Sequence, residues 1–388
     1  MDDVTRKLIQ SVEKNNKLIV FIATGAGGQA LAALSSSVSD PSMVLLEAYI
    51  PYSHAALKEF LEREPEQYVS EETAQLMAGR ALSRGLSIRP EDKDVIGLAC
   101  TATIATDRPK KGKHQAFITT WSSEKLTSYS IELKKGARDR SGEESVVSRL
   151  LLNALANAAG ININLPLGLT DSDALLSQSL DFGMFAQQLN DKKIPFFGVK
   201  ESGYMYLTNS HVQAVLAGTF NPLHEGHIHL AKTAREILNK PVSFEISASN
   251  VDKPPLKTTT LLNRLSQFAG RHSVLISDAP TFLEKSQLYP GATFVVGYDT
   301  AIRIIDPRYY DHNQDSMLAA LAMIRERGNR FLVAGRTDDA GVFHELEEHT
   351  IPFDFADLFI SIPQNLFRKD ISSTKLRSQE MRESKLSE

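Results

Sequence analysis

Between His211 and Ile362, short apolar runs alternate with helical patterns, and this alternation constrains the fold more than any other feature. The strand candidates are His211–Ala217, Val242–Ser247, Ser273–Ser277, Ala292–Gly297, Arg330–Ala334 and Leu358–Ile362. Helical spacing fills Ile228–Leu238, Thr259–Ala269, Ser316–Arg327 and Thr374–Lys385. Strands separated by helices predict right-handed crossovers and a mostly parallel sheet. Ligands bind such sheets at the carboxyl ends of the strands, near the point where strand order reverses.

At the end of the first of these strands stands Gly218-Thr219-Phe220-Asn221-Pro222-Leu223-His224-Glu225-Gly226-His227. A tight turn at Gly218 and Pro222 delivers two imidazoles to a helix N-terminus. Free N–H groups and a partial positive charge at that end suit phosphate. Imidazoles add donors that follow charge as it develops on a phosphoryl oxygen. The chemistry suggested is nucleotide transfer. A second candidate phosphate contact lies far away in Ile371-Ser372-Ser373-Thr374-Lys375-Leu376-Arg377, with three hydroxyls at a helix start and a guanidinium one turn later.

The first run resembles the signature of the HxGH nucleotidyltransferase superfamily, in its Gly-Thr-Phe-(Asn/Asp)-Pro-x-His-x-Gly-His form. The second resembles the Ile-Ser-Ser-Thr-x-x-Arg motif of nicotinamide- and nicotinate-mononucleotide adenylyltransferases. Cytidylyltransferases and phosphopantetheine adenylyltransferases usually carry other versions there. Two weaker resemblances lie between: Pro254-Pro255-Leu256-Lys257, followed by Arg264, and the strand-end Gly297-Tyr298-Asp299.

The resemblance implies direct adenylyl transfer, in which a mononucleotide phosphate attacks the α-phosphorus of ATP and pyrophosphate leaves. His224 and His227 would hold α- and β-phosphate oxygens, Thr219 would orient the α-phosphate, and Gly218, Phe220 and Gly226 would shape the binding turn. Ser372, Ser373, Thr374 and Arg377 would hold the β and γ groups. Gly297 and Asp299 would receive the ribose, and Mg²⁺ would bridge phosphate oxygens. Arg303 and Arg336 are further candidate contacts. Relatives often stack the pyridine ring on tryptophan, but the single Trp121 lies outside this region, leaving Tyr298, Tyr309 and Phe282 as substitutes. Transfer to another phosphorylated acceptor, with ATP or CTP, and a non-catalytic pyridine-nucleotide-binding regulator are the alternatives.

The N-terminal stretch also alternates. Lys17–Ala23, Met43–Ile50, Val95–Thr103, Gln115–Trp121 and Leu126–Leu133 read as strands. Gln29–Val38, His54–Glu62, Ser70–Leu86 and Ser145–Ala159 read as helices, with Ser70 as a capping residue. Residues 5 to 160 resemble the C-terminal domain of the competence-damage (CinA) family, which deamidates nicotinamide mononucleotide. Ala23-Thr24-Gly25-Ala26-Gly27-Gly28 takes the place of Glu-Ser-Cys-Thr-Gly-Gly, and Tyr52-Ser53-His54-Ala55-Ala56-Leu57-Lys58 that of Tyr-Ser-Asn-Glu-Ala-Lys. Val69-Ser70-Glu71 to Met77-Ala78 follows the family's Val-Ser helix, Ala99–Thr106 replaces its Gly-Pro loop, and Gly136–Arg140 echoes Gly-Asp-Arg. The nucleophilic serine becomes Thr24, and the lysine position falls on Leu57, with Lys58 turned by about 100° on a helix. The fold is expected without deamidation, leaving Gly25–Gly28 as a nucleotide contact or a plain turn.

The organisation expected is a CinA-C-like α/β domain at 1–162, a connector at 163–210 and a Rossmann-like parallel-sheet nucleotidyltransferase domain at 211–388. Within the connector, Ala174–Leu189 reads as a helix and Phe196–Leu207 as a hairpin. A 42% hydrophobic and 23% charged composition belongs to a globular chain, and a net charge of −4 argues against nucleic acid or an anionic membrane as the main partner. Small-molecule nucleotides are the expected partners, with homo-oligomerisation open. The lone Cys100, the polar residues 1–16 and the shortness of every apolar run point to a cytoplasmic protein, with the nucleus as the other compartment.

Overall fold

The computed structural model describes residues 2–36, 43–89, 93–108, 111–249, 254–338, 342–347 and 350–368. Two compact units emerge. One comprises Met1–Ala186, Val199–Met205 and Leu265–His272; the other comprises Gln187–Gly198, Tyr206–Arg264 and Ser273–Glu388.

The first unit runs α1 (Asp3–Lys14), β1 (Lys17–Thr24), α2 (Gly28–Ser36), β2 (Leu45–Tyr49), α3 (His54–Leu61), α4 (Glu71–Ile88), β3 (Asp94–Thr103), β4 (His114–Trp121), β5 (Lys125–Leu133), α5 (Arg140–Ala158) and β6 (Ala174–Asp181). Its six-stranded sheet has the order β2-β1-β3-β4-β5-β6. β1 pairs in parallel with β2 and β3, and the remaining pairs are antiparallel. Residues 18–23 of β1 are buried without alternation because both sheet faces are covered. Ile19 and Phe21 join Leu8, Ile9, Leu34, Val147 and Leu151 from α1, α2 and α5 in one core cluster. Toward the other face α4 presses close, since a Cβ on its Gly85 would lie 2.5 Å from Val95 and 3.0 Å from Val20. Asp2, Ser53, Ser70 and Asp139 cap α1, α3, α4 and α5 through side-chain oxygens.

One expectation is overturned. Residues 174–181 form strand β6, and helix α6 begins only at Phe182 (Phe182–Asn190). The unpaired edge of β5 offers eight residues of backbone pairing, from Glu132↔Ala174 to Lys125↔Asp181. A short stretch of mixed polarity has no strong helical period to oppose that pairing.

The second sheet contains β7 (Phe196–Val199), β8 (Met205–Tyr206), β9 (Ala214–Ala217), β10 (Val242–Ser247), β11 (Val274–Ser277), β12 (Thr293–Gly297), β13 (Arg330–Ala334) and, after a small β14–β15 hairpin (Arg336–Thr337, Phe343–His344), β16 (Phe359–Ile362). Strand order is β16-β13-β12-β9-β10-β11-β7-β8. The run from β16 to β11 is parallel. Counting those six from β9 gives the doubly wound order 3-2-1-4-5-6, whose reversal falls between β9 and β12. Helices α7 (Glu225–Leu238), α8 (Thr258–Ser266), α9 (Phe282–Leu288), α10 (Tyr298–Ile304) and α11 (Gln314–Glu326) connect the strands. Val215, Phe294, Val296, Phe331 and Val333 anchor the core beneath this sheet.

Candidate functional site

Strand β9 ends at Ala217, and the N–H of Gly218 donates to the carbonyl of Glu245 on β10 at 3.0 Å. The chain then turns through Phe220, which adopts φ 42°, and a cis Asn221–Pro222 bond. Phe220 is buried, its ring edge-on to Phe244 at 5.4 Å and to His227 at 4.9 Å. A Cβ on Gly218 would stand 2.7 Å from the Phe220 ring, so glycine is what lets this aromatic fold back under the turn.

His224 is the N-cap of α7 and His227 lies in its first turn. Their rings stack, with centroids 3.7 Å apart and planes at 21°. The His224 backbone N–H donates to His227 Nδ1 at 3.3 Å. Burial lowers the His227 pKa to about 3, with a smaller contribution from His224, and burial also lowers that of His224. Both rings are therefore neutral at neutral pH. Because His227 Nδ1 accepts, the ring proton sits on Nε2, which becomes the donor available to a ligand.

The switch point sets what joins them. β12 lies beside β9 with Val295 opposite Leu216, so Gly297 follows at the same carboxyl edge as the histidine turn. Gly297 caps α10, and Asp299 in its first turn forms an ion pair with Arg336, which follows β13. Arg264 on α8 donates to the Thr219 carbonyl at 3.2 Å, bringing a guanidinium to the histidine turn. Among the three aromatic substitutes, Phe282 is packed edge-on against Phe294 and Phe331 and so is committed to the core. Tyr309 lies under Arg303 at 5.9 Å. Tyr298, adjacent to Asp299, stacks on His344 at 5.6 Å, and His344 contacts Asp338 at 2.9 Å. Sequence reasoning passed over His344, which stands in the separate two-stranded β14–β15 hairpin opposite Arg336.

Gly218, Thr219, Phe220, His224, Gly226 and His227 thus share one turn, with Gly297 and Asp299 across the switch point. Ser372, Ser373, Thr374 and Arg377 lie outside the described residues. Among the described residues there is no group of three or more His, Cys, Asp or Glu able to hold a metal.

In the first unit, a cavity of about 190 Å³ is lined by Thr24, His54, Leu57, Tyr68, Thr101 and Arg140, among others. His54 stacks on Tyr68 at 3.7 Å. Leu57 fills the wall, whereas Lys58 is turned away to pair with Glu64 at 2.8 Å. At the glycine turn Glu144 of α5 accepts from the N–H groups of Gly27 at 3.0 Å and Gln29 at 3.1 Å. Ser148 accepts from the N–H of Ala30 at 3.1 Å. The helix start that could attract a phosphate is already capped by an internal carboxylate.

A doubly wound sheet with paired imidazoles at its reversal is the arrangement that the C-terminal part presents. Residues 215–379 match the family model described as cytidylyltransferase-like, which supports nucleotidyl transfer as the general activity. No curated protein matches the chain. Similar solved structures are CinA superfamily proteins over the N-terminal part. A Klebsiella pneumoniae protein is 14% identical, covers 41% of this chain and 96% of its own, and has a TM-score of 0.33. The competence/damage inducible protein CihA of Agrobacterium tumefaciens is 19% identical, covers 42% and 98%, with a TM-score of 0.33. An Escherichia coli member is 18% identical, covers 40% and 87%, with a TM-score of 0.31. Among the described residues no helix is long and apolar enough to cross a membrane.

Proposed function

We propose that the chain transfers AMP from ATP to nicotinamide or nicotinate mononucleotide, releasing pyrophosphate, as a step of NAD synthesis. The stacked, neutral His224–His227 pair at the switch point carries this reading. The acceptor phosphate oxygen attacks the α-phosphorus, the bond to the bridging oxygen breaks, and pyrophosphate departs. No protein nucleophile takes part, so positioning and charge stabilisation supply the rate. His227 Nε2–H and the first N–H groups of α7 face the developing charge, while Arg264 steadies the Thr219 carbonyl. Mg²⁺ brought by the triphosphate would neutralise its oxygens. Asp299 receives ribose hydroxyls once Arg336 yields, and Ser372, Ser373, Thr374 and Arg377 complete the β,γ-phosphate clamp. Tyr298, on the same helix turn as Asp299, takes the part of the pyridine-stacking aromatic.

The N-terminal domain, in this proposal, has retained the deamidase fold and lost deamidation. Support comes from the placement of Leu57 in the cavity wall, the outward pairing of Lys58, and Glu144 at the glycine turn. The hydroxyl of Thr24 lacks the lysine base of the deamidase pattern, and His54, which lines the same cavity, is stacked on Tyr68.

Pyrophosphate release from ATP, measured with each acceptor separately, tests the proposal. Release with nicotinamide or nicotinate mononucleotide is expected. Release only with phosphopantetheine or a phospho-alcohol would move the acceptor, and none with any would leave a nucleotide-binding regulator. Ammonia release from nicotinamide mononucleotide that disappears in Thr24→Ala would overturn the account of the first domain.

A further inference from the structure

A second cavity in the first unit, about 610 Å³, opens on the side of α3 away from Thr24 and shares only Pro51 with the first. Its wall carries Arg80, Arg84 and Arg271, one carboxylate (Glu59), and the aromatic pair Tyr49 and Phe60. The side chain of Arg80 is 9% exposed. Its Nε donates to the Phe60 carbonyl at 3.1 Å and its Nη2 to Glu62 at 2.6 Å. The third nitrogen, Nη1, is buried and has no hydrogen-bond partner among the described residues. Buried charged donors are costly to leave unmatched, so this one marks a place where an acceptor belongs.

The surroundings are built to hold further guanidiniums beside it. Arg84 is one helical turn along α4, on the same face. Arg271 belongs to a segment pressed against α4 at two glycines. A Cβ on Gly79 would lie 2.4 Å from the Gly270 nitrogen, and one on Gly270, which adopts φ +71°, would lie 2.2 Å from the Arg80 nitrogen. Arg63 Nη2 donates to the Arg271 carbonyl at 2.9 Å and fixes that segment further. Glu47 and Glu62, which hold Arg84 and Arg80, do not line the cavity. Beside the charges, the Tyr49 and Phe60 rings lie 5.3 Å apart, and the Arg80 guanidinium sits 5.9 Å over the Phe60 ring.

We propose that this cavity binds a small organic phosphate with a flat ring, of the mononucleotide class, through Arg80, Arg84 and Arg271, independently of the transfer site at His224 and His227. Guanidinium forks match phosphate oxygens bidentately, and the aromatic wall covers the ring. The volume falls within the range of small-molecule sites, roughly 300–1,000 Å³.

Calorimetric titration of the full chain with adenosine monophosphate, inorganic phosphate and benzoate separates the ligand classes. Adenosine monophosphate is expected to bind more tightly than either of the others. Arg84→Ala and Arg271→Ala should each weaken it by roughly tenfold or more, the weight of one charge-assisted hydrogen bond. ATP-dependent pyrophosphate release should be unchanged in both. Arg80→Lys keeps the charge without the fork and should weaken binding similarly; because that site is buried, the two more accessible variants decide if it fails to fold. Unaltered affinity in an Arg84→Ala/Arg271→Ala double variant overturns the proposal, as does benzoate binding as tightly as the nucleotide.

Discussion

The backbone N–H of His224 donates to Nδ1 of His227 at 3.3 Å while the two rings stack 3.7 Å apart, so the main chain at His224 fixes the tautomer of His227. A helix cap and the donor proposed for phosphoryl transfer are thereby made from the same pair. The ring proton of His227 is set on Nε2 by a bond inside the protein, with no need of a second proton on the ring.

Replacing that donor is expected to cost turnover and spare the fold. His227→Ala should lower kcat by about 100-fold to 1,000-fold, about 3 kcal/mol in the barrier. His227→Gln places an amide near the former Nε2 and should recover part of the loss. Equal activity in wild type and His227→Ala, measured by pyrophosphate release, would remove the histidine from the mechanism.

Acid should destabilise the second unit through the same pair. The folded state holds His227 at about 3 and lowers His224, whereas an unfolded chain takes up protons near the ordinary value of 6.5. Their contribution is thus fully present above about pH 6.5 and drains as pH falls toward about 3. Urea midpoints taken from about pH 7.5 down to about pH 4.5 should decline, and the decline should shrink in His227→Gln. A midpoint rising over that interval contradicts the assigned sign.

Gly218→Ala should disturb chemistry more than folding. Its Cβ would need to displace the Phe220 ring from 2.7 Å, and Phe220 supports His227 edge-on. Turnover should fall about tenfold or more through misplacement, against a stability loss of about 1–3 kcal/mol. Unchanged kcat would show that Phe220 does not position the imidazole.

Glu144→Ala should destabilise the first unit by about 1–2 kcal/mol, because the N–H groups of Gly27 and Gln29 lose their acceptor at the start of α2. Thermal unfolding of the variant measures this directly. Full stability would mean that Ser148 and water replace the carboxylate without loss.

Much of the architecture was legible because long strand–helix alternation survives in the sequence. The six parallel strands of the second unit and the five main strands of the first follow their apolar runs closely. Strand β6 escaped because its partner edge, eight residues of β5, lies about fifty residues upstream and pairing there overrode a weak local pattern. Helices α9 and α10, seven residues each, are too short to show a period. At the site, the histidine turn was visible as a contiguous motif, and so was the Asp299 strand end. The Arg336 ion pair and the His344–Tyr298 stack were not, since each joins segments that only the sheet brings together. The glycine turn at 25–28 shows the same limit, because Glu144 reaches it across 117 residues.

On the proposal that the first domain has lost deamidation, the Glu144 carboxylate has a consequence for any attempt to install amide hydrolysis there. Reinstalling serine at 24 and lysine at 57 would leave a fixed negative charge parked on the amide cradle, repelling any phosphorylated substrate that approached. A revived hydrolase would have to start by neutralising position 144.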